Sequence, residues 1–316
     1  MKRLSEDRIE PKVKMPGSMD RGPVQFNSRA VKHMGDVLTI ATSEVVVVPP
    51  TTTIIGAIKT MTAYGFGRLP VADAGTNRLL GFVTGVDVVD FLGGGIRHNL
   101  LKMKYEGNIL SAINAEIREI MSSNLVIINE KASIEDALML MHEKNIGGLP
   151  VVDESFRIKA IITEHDFASL MAGVNTGIQV EELMSPNVIT ANSQMTIEKT
   201  TKMMVQKGGF RKLPVVQESV LIGMVTASDI MRYLGSGEAF KKVVTGDIGE
   251  VMNLPIKMLI QNELVSVEKG TDLGQAAKVM IERGVGSLPV MEKGSLAGII
   301  TKRDFINAFA EGDRGA

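Results

Sequence analysis

Apolar residues recur at i, i+3/i+4 and i+7 in four stretches of the chain. They are Ile54, Ala57/Ile58, Met61; Ile134, Ala137/Leu138, Met141; Ile197, Thr200/Thr201, Met204; and Leu273, Ala276/Ala277, Met280. This is the period of an amphipathic helix. From the first residue of each stripe it is 16, 16, 17 and 16 residues to the proline of a Leu-Pro-Val phrase, at Pro70, Pro150, Pro214 and Pro289. Each phrase leads into an apolar run ending in Thr-x-x-Asp: Thr84/Asp87, Thr163/Asp166, Thr226/Asp229 and Thr301/Asp304. Three features kept in register over four copies make an internal repeat.

Each copy predicts the order β-α-β-β-α. A short strand comes first, at 45–48, 125–128, 188–190 and 264–267. A Ser/Thr-led helix follows; Ser133-Ile134-Glu135-Asp136 is a capping-box-like start. Leu-Pro-Val opens the next strand, a polar turn leads to the third, and the last helix begins at Thr-x-x-Asp. The fold class is α/β (α+β), apolar strands flanked by helices. The prolines are 80, 64 and 75 residues apart, so the extra length follows copies one and three and the copies form two tandem pairs. The expected organisation is a basic extended arm at 1–35, unit 1 at 36–95, a helical connection at 96–117, unit 2 at 118–173, unit 3 at 178–236, a helical connection at 237–248 and unit 4 at 249–312. The arm holds eight Lys/Arg against four acids and three prolines; such a segment is read as extended.

The Leu-Pro-Val strand and the phrase Gly-apolar-apolar-Thr-x-x-Asp resemble the CBS (cystathionine β-synthase) domain. Gly81-Phe82-Val83-Thr84, Gly223-Met224-Val225-Thr226 and Gly298-Ile299-Ile300-Thr301 match fully; unit 2 has Ala160 in place of the glycine. The resemblance covers roughly residues 31–312 and extends to prokaryotic proteins of four CBS motifs and, more distantly, the gamma subunit of AMP-activated kinase. It implies CBS units paired through their sheets about a pseudo-twofold, two Bateman modules in all, with clefts that bind adenosine nucleotides or related adenosyl compounds.

Thr-x-x-Asp has an ordinary role: Thr caps the helix and the acid suits its positive end. It can also hold a ribose, the Asp accepting from the vicinal hydroxyls while Thr and the helix amides serve sugar or phosphate oxygens. A cap alone does not require the same Thr and Asp four times. Phosphates need cations. The family's packing places the residues before Leu-Pro of one unit against Thr-x-x-Asp of its partner. It therefore implies one cationic cleft of Asp166, Thr163 and His165 with Arg68, and a second of Asp304, Thr301, Lys302 and Arg303 with Arg211 and Lys212. Gly147-Gly148 and Gly286-Ser287 stand uncharged at the matching positions. The clefts at Asp87/Thr84 and Asp229/Thr226 suit a less charged adenosyl ligand or none. Adenine is expected near Val126–Ile127 and Val265–Val267.

The 316 residues carry Lys+Arg 35 against Asp+Glu 36, so no global basic field invites nucleic acid. Cysteine and tryptophan are absent, which excludes disulfides, thiol catalysis and Cys-ligated zinc. Met at 20 reads as helix-core filler. No phosphate-binding loop, dinucleotide fingerprint, nucleophile elbow or paired-histidine metal motif is present. The basic clusters Arg97/His98/Lys102/Lys104 and Lys241/Lys242 read as solvated helix faces. The resulting expectation is a cytoplasmic, non-enzymatic energy-sensing protein. It would bind AMP, ADP or ATP (S-adenosylmethionine or NAD less readily), need no metal, and signal to an unknown protein effector, with homodimerisation possible and no membrane partner. The alternative is a structural or nucleic-acid-associated adaptor acting through the basic arm.

Overall fold

The computed structural model describes residues 36–93, 95–206, 211–241, 243–260 and 264–312. The expected arm at 1–35, and Lys242, lie outside these residues.

Unit 1 comprises α1 (Ile54–Tyr64), β1 (Arg68–Ala72), β2 (Leu79–Thr84) and α2 (Gly85–Gly93). Helices α3 (His98–Lys104) and α4 (Ile109–Ile113) connect it to unit 2, which has β3 (Ile128–Asn129), α5 (Ile134–Glu143), β4 (Gly148–Val152), β5 (Ile158–Thr163) and α6 (Glu164–Met171). The short α7 (Val180–Leu183) leads to unit 3, with β6 (Ala191–Asn192), α8 (Ile197–Gln206), β7 (Lys212–Gln217), β8 (Val220–Thr226) and α9 (Ala227–Gly235). After α10 (Gly249–Met252), unit 4 contains β9 (Val267–Glu268), α11 (Leu273–Glu282), β10 (Ser287–Glu292), β11 (Ser295–Thr301) and α12 (Lys302–Gly312). The segment 237–248 is turn-rich rather than helical; a 3-10 turn at Glu238–Phe240 is its only helical element among the described residues.

In every unit the Leu-Pro-Val strand pairs antiparallel with the strand that follows, as Leu69 with Val83 and Leu149 with Ile162. The first strands are shorter than expected and shifted towards their C-terminal ends. Only two residues pair in parallel in units 2, 3 and 4, and in unit 1 only Val48 bridges Val71. Several of the residues before them, Val45, Val46, Leu125, Val126, Val188, Ile189 and Val265, are outside the ladders and line the central cavities.

The helical stripes are buried as their period requires: Met61, Met141, Met204 and Met280 are all inside. In unit 3 the stripe carries Thr200 and Thr201, whose hydroxyls donate back to the Thr196 and Glu198 carbonyls, so their burial leaves no unsatisfied donor.

The four units close into a ring in which sheet contacts and helix contacts alternate. Units 1 and 2 meet through sheets, with Phe82 bridged to Ser122, Thr42 to Ile161 and Arg78 to Arg157. Units 3 and 4 meet through β8 and β11, with Ser185 bridged to Ile299. Helices α1 and α2 pack on α8 and α9, sharing a core of Ile54, Met61 and Phe91 with Ile197, Ile230 and Leu234. Helices α5 and α6 likewise pack on α11 and α12. The approach of α2 to α8 needs a residue without a side chain: a Cβ at Gly93 would overlap Thr201.

Candidate functional site

Two cavities of about 700 and 730 Å³ open at the centre of the ring, one on each face. The first contains Thr163 to Asp166 of unit 2 and Thr226 to Asp229 of unit 3, with Lys302. The second contains Thr84 of unit 1 and Thr301, Arg303 and Asp304 of unit 4. Arg68, Gly147, Glu164, Arg211, Lys212 and Gly286 line both.

All four Thr-x-x-Asp motifs act as helix caps. In each, Oδ2 of the Asp accepts from the Thr amide and the Thr hydroxyl, at 2.8 and 2.7 Å for Asp87, 2.7 and 2.8 Å for Asp166, 2.8 and 2.6 Å for Asp229, and 2.6 and 3.0 Å for Asp304. The hydroxyl protons of Thr84, Thr163, Thr226 and Thr301 are therefore committed to their own Asp.

The second carboxylate oxygen separates the motifs. Arg97 Nη2 lies 2.8 Å from Oδ1 of Asp87, and Arg232 Nη1 lies 2.8 Å from Oδ1 of Asp229. Arg97 is further held by Asp90 and by the Ile120 carbonyl. At Asp166 and Asp304 no hydrogen bond or ion pair from another described residue reaches Oδ1. Burial raises both carboxyls above the ordinary carboxylate value, against the pull of the Thr163 and Thr301 donors. Each is a desolvated acceptor short of donors.

The cations gather between the faces. Arg68 and Lys212 are half-buried and line both cavities. Desolvation, then the Arg211 charge, bring Lys212 from its ordinary 10.5 to about 7 and Arg68 to about 10. Their seats are the uncharged glycines of the partner units. A Cβ at Gly148 would overlap the Arg68 guanidinium, and one at Gly286 would overlap Lys212 Nζ. One unit of each pair supplies a cation and the other supplies room for it.

Sequence reasoning did not foresee Glu164. Its carboxylate lies 3.0 Å from Arg303 Nε and 3.5 Å from Arg211 Nη2. Burial pushes this carboxyl up, but Arg211, Arg303 and Arg68 outweigh it and leave it below its ordinary value. The signal was present: the residues after the four motif threonines are Gly85, Glu164, Ala227 and Lys302, and only one is acidic.

The expected lining of the clefts changes in three respects. Lys302 faces the cavity of Asp166, where its Nζ lies 2.8 Å from His165 Nδ1; burial and then Lys302 lower His165. Arg68, Arg211 and Lys212 serve both cavities rather than one each. The apolar walls are exchanged: Thr42, Val45 and Val46 line the Asp166 cavity, and Val188 and Ile189 the Asp304 cavity, whereas Val126 and Val265 face the opposite ones. The first strand beside each motif comes from the partner unit, because the sheets pack face to face. Two solvated residues were also misread: Arg97 closes the Asp87 cleft, and His98 is buried with Nδ1 3.0 Å from the Phe91 carbonyl. Lys102, Lys104 and Lys241 are exposed as expected.

The CBS domain profile matches residues 35–94, 117–173, 180–236 and 248–311. The chain belongs to the CBS domain family. Among CBS relatives, protein MJ1225 of Methanocaldococcus jannaschii is 36% identical over 277 residues, 87% of this chain and 99% of its own length. Its crystal structure, described as that of a candidate archaeal homologue of g-AMPK, matches with a TM-score of 0.81 over 86% of this chain and 99% of that one. A 33.4 kDa protein of Thermofilum pendens, from a ribosomal RNA operon, is 27% identical over 82% of this chain and 86% of its own. A Pyrococcus horikoshii structure, 18% identical, shares the fold at a TM-score of 0.55. Among the described residues of this CBS chain, no helix is long and apolar enough to cross a membrane and no cluster of three or more His, Asp or Glu could hold a metal ion.

Proposed function

We propose that the protein is a regulatory sensor binding adenosine nucleotides in the clefts at Asp166 and Asp304, and that it carries no catalytic activity of its own. The observation that carries this is the pairing, in each of these two clefts, of an under-donated carboxylate with a cavity lined by Arg68, Arg211 and Lys212. A ribose diol supplies two donors to Oδ1, and the phosphates meet the cations across the groove. Val45 and Val46, or Val188 and Ile189, offer an apolar wall to adenine. The likeness to MJ1225, described as a candidate archaeal homologue of g-AMPK, supports the regulatory reading.

Both clefts lie between units, so a bound nucleotide draws a pair together. The ring converts this into a shift between conformations, bounded by the ligand's differential affinity for them. A protein effector would read that shift. The test is calorimetric titration of AMP, ADP and ATP into wild type and Asp304→Ala. Loss of two hydrogen bonds to a charged acceptor is worth about 3 kcal/mol, a weakening of about 100-fold at that cleft. Unchanged affinity refutes the assignment.

A further inference from the structure

The chain places its own carboxylate where the ligands' anionic groups would gather. Glu164 is the acid that lines both central cavities among the described residues, and it sits among Arg68, Arg211, Lys212 and Arg303. Its Oε1 is buried and 3.0 Å from Arg303 Nε but accepts no aligned hydrogen bond, while Oε2 meets Arg211 only at 3.5 Å. The pairing is one charge spread thinly over several cations, two of them contacting it. A phosphate, with three oxygens and up to two charges, matches this cluster better than a planar carboxylate with one. Glu164 is also free to leave. It is the first residue of α6, and a glutamate has three side-chain torsions by which to swing away without unwinding the helix. The corresponding Gly85 and Ala227 cannot place a charge here, and Lys302 would add a cation.

We propose that Glu164 holds the place of a ligand phosphate and is displaced when nucleotide phosphates enter from either face. It thereby sets the affinity threshold: a ligand must bring enough negative charge to take the cations from an acid already in position. This rests on the nucleotide reading above, but the displacement itself concerns only anions. The buried cations explain the acid's presence, since without it Arg68, Arg211 and Arg303 repel one another unscreened.

The experiment compares wild type with Glu164→Gln in phosphate-free buffer, titrating AMP by calorimetry and inorganic pyrophosphate by thermal shift. The variant is expected to bind AMP at least about tenfold tighter, to melt lower than wild type alone, and to gain more in melting temperature from pyrophosphate. Should Glu164→Gln fail to fold, Glu164→Asp keeps the charge but withdraws it by one methylene, and an intermediate gain in affinity is expected. If AMP binds neither protein while pyrophosphate still favours the variant, the nucleotide reading falls and the role of Glu164 stands. Measurable AMP binding that is no tighter in the folded variant than in wild type, or an equal pyrophosphate shift, overturns the proposal.

Discussion

The clefts at Asp166 and Asp304 and those at Asp87 and Asp229 start from one motif, yet only the first two keep a carboxylate oxygen for an outside donor. Thr caps the helix in all four, and Oδ2 is spent identically. The difference comes from arginines outside the motif: Arg97, from the connection after unit 1, and Arg232, one turn along α9. Each face of the ring therefore pairs one open cleft with one closed by the chain itself. A binding motif states which oxygen is available in principle; what the surrounding chain donates to it decides whether the oxygen is available in fact.

The largest break in this comparison is Arg97→Met. Arg97 serves Asp87, Asp90 and the Ile120 carbonyl, and its removal leaves the buried Asp90 and the half-buried Asp87 without their shared cation. Allowing for its partial exposure, the cost is about 2 kcal/mol in chemical unfolding. The freed Asp87 is expected to add a further, weaker nucleotide site by calorimetry. A stable variant with no added site would show that the cleft is closed by something other than Arg97.

Proton linkage sharpens the same contrast on the cation side. Lys212 stands at about 7 in the free protein, and a phosphate facing it favours the charged form, raising its value again. Below about pH 7 it is already charged; above, binding must first take up a proton. Nucleotide affinity therefore falls as pH rises through 7, by about tenfold near pH 8. Lys212→Met is expected to bind more weakly and to flatten this dependence. Parallel pH profiles in the two proteins would remove Lys212 from the account.

The smallest effect is expected from Arg232→Ala. More than half of the Arg232 side chain is exposed, so its ion pair with Asp229 is worth under about 1 kcal/mol. Melting temperature should barely move in a thermal unfolding scan; a large drop would show that the pair contributes more than a surface ion pair does.

Much of the scaffold was legible because repeats expose themselves by register. The stripes through Met61, Met141, Met204 and Met280, the Leu-Pro-Val strands and the four capping pairs needed only local periodicity and spacing. The reciprocity of Arg68 with Gly147-Gly148 was visible as an asymmetry of charge, although not that the glycines are there to seat the guanidinium. What escaped depends on contacts between distant segments. Lys302 reaches His165 from another unit, Arg97 reaches back to Asp87 from the connection after unit 1, and Val45–Val46 serve a motif more than 100 residues away. Glu164 is different in kind. Its oddity among four aligned residues was readable, but an acid at a helix start already has a sufficient local reason, the helix dipole, and nothing local points beyond it.

The central claim is that two of four equivalent carboxylates are available to ligand. Counting AMP bound per chain, by calorimetric stoichiometry cross-checked by native mass spectrometry, tests it most directly. The account predicts two in wild type, two in Asp87→Ala/Asp229→Ala, and none in Asp166→Ala/Asp304→Ala at the same ligand concentration. Four in wild type, or two retained after Asp166 and Asp304 are both replaced, would contradict it.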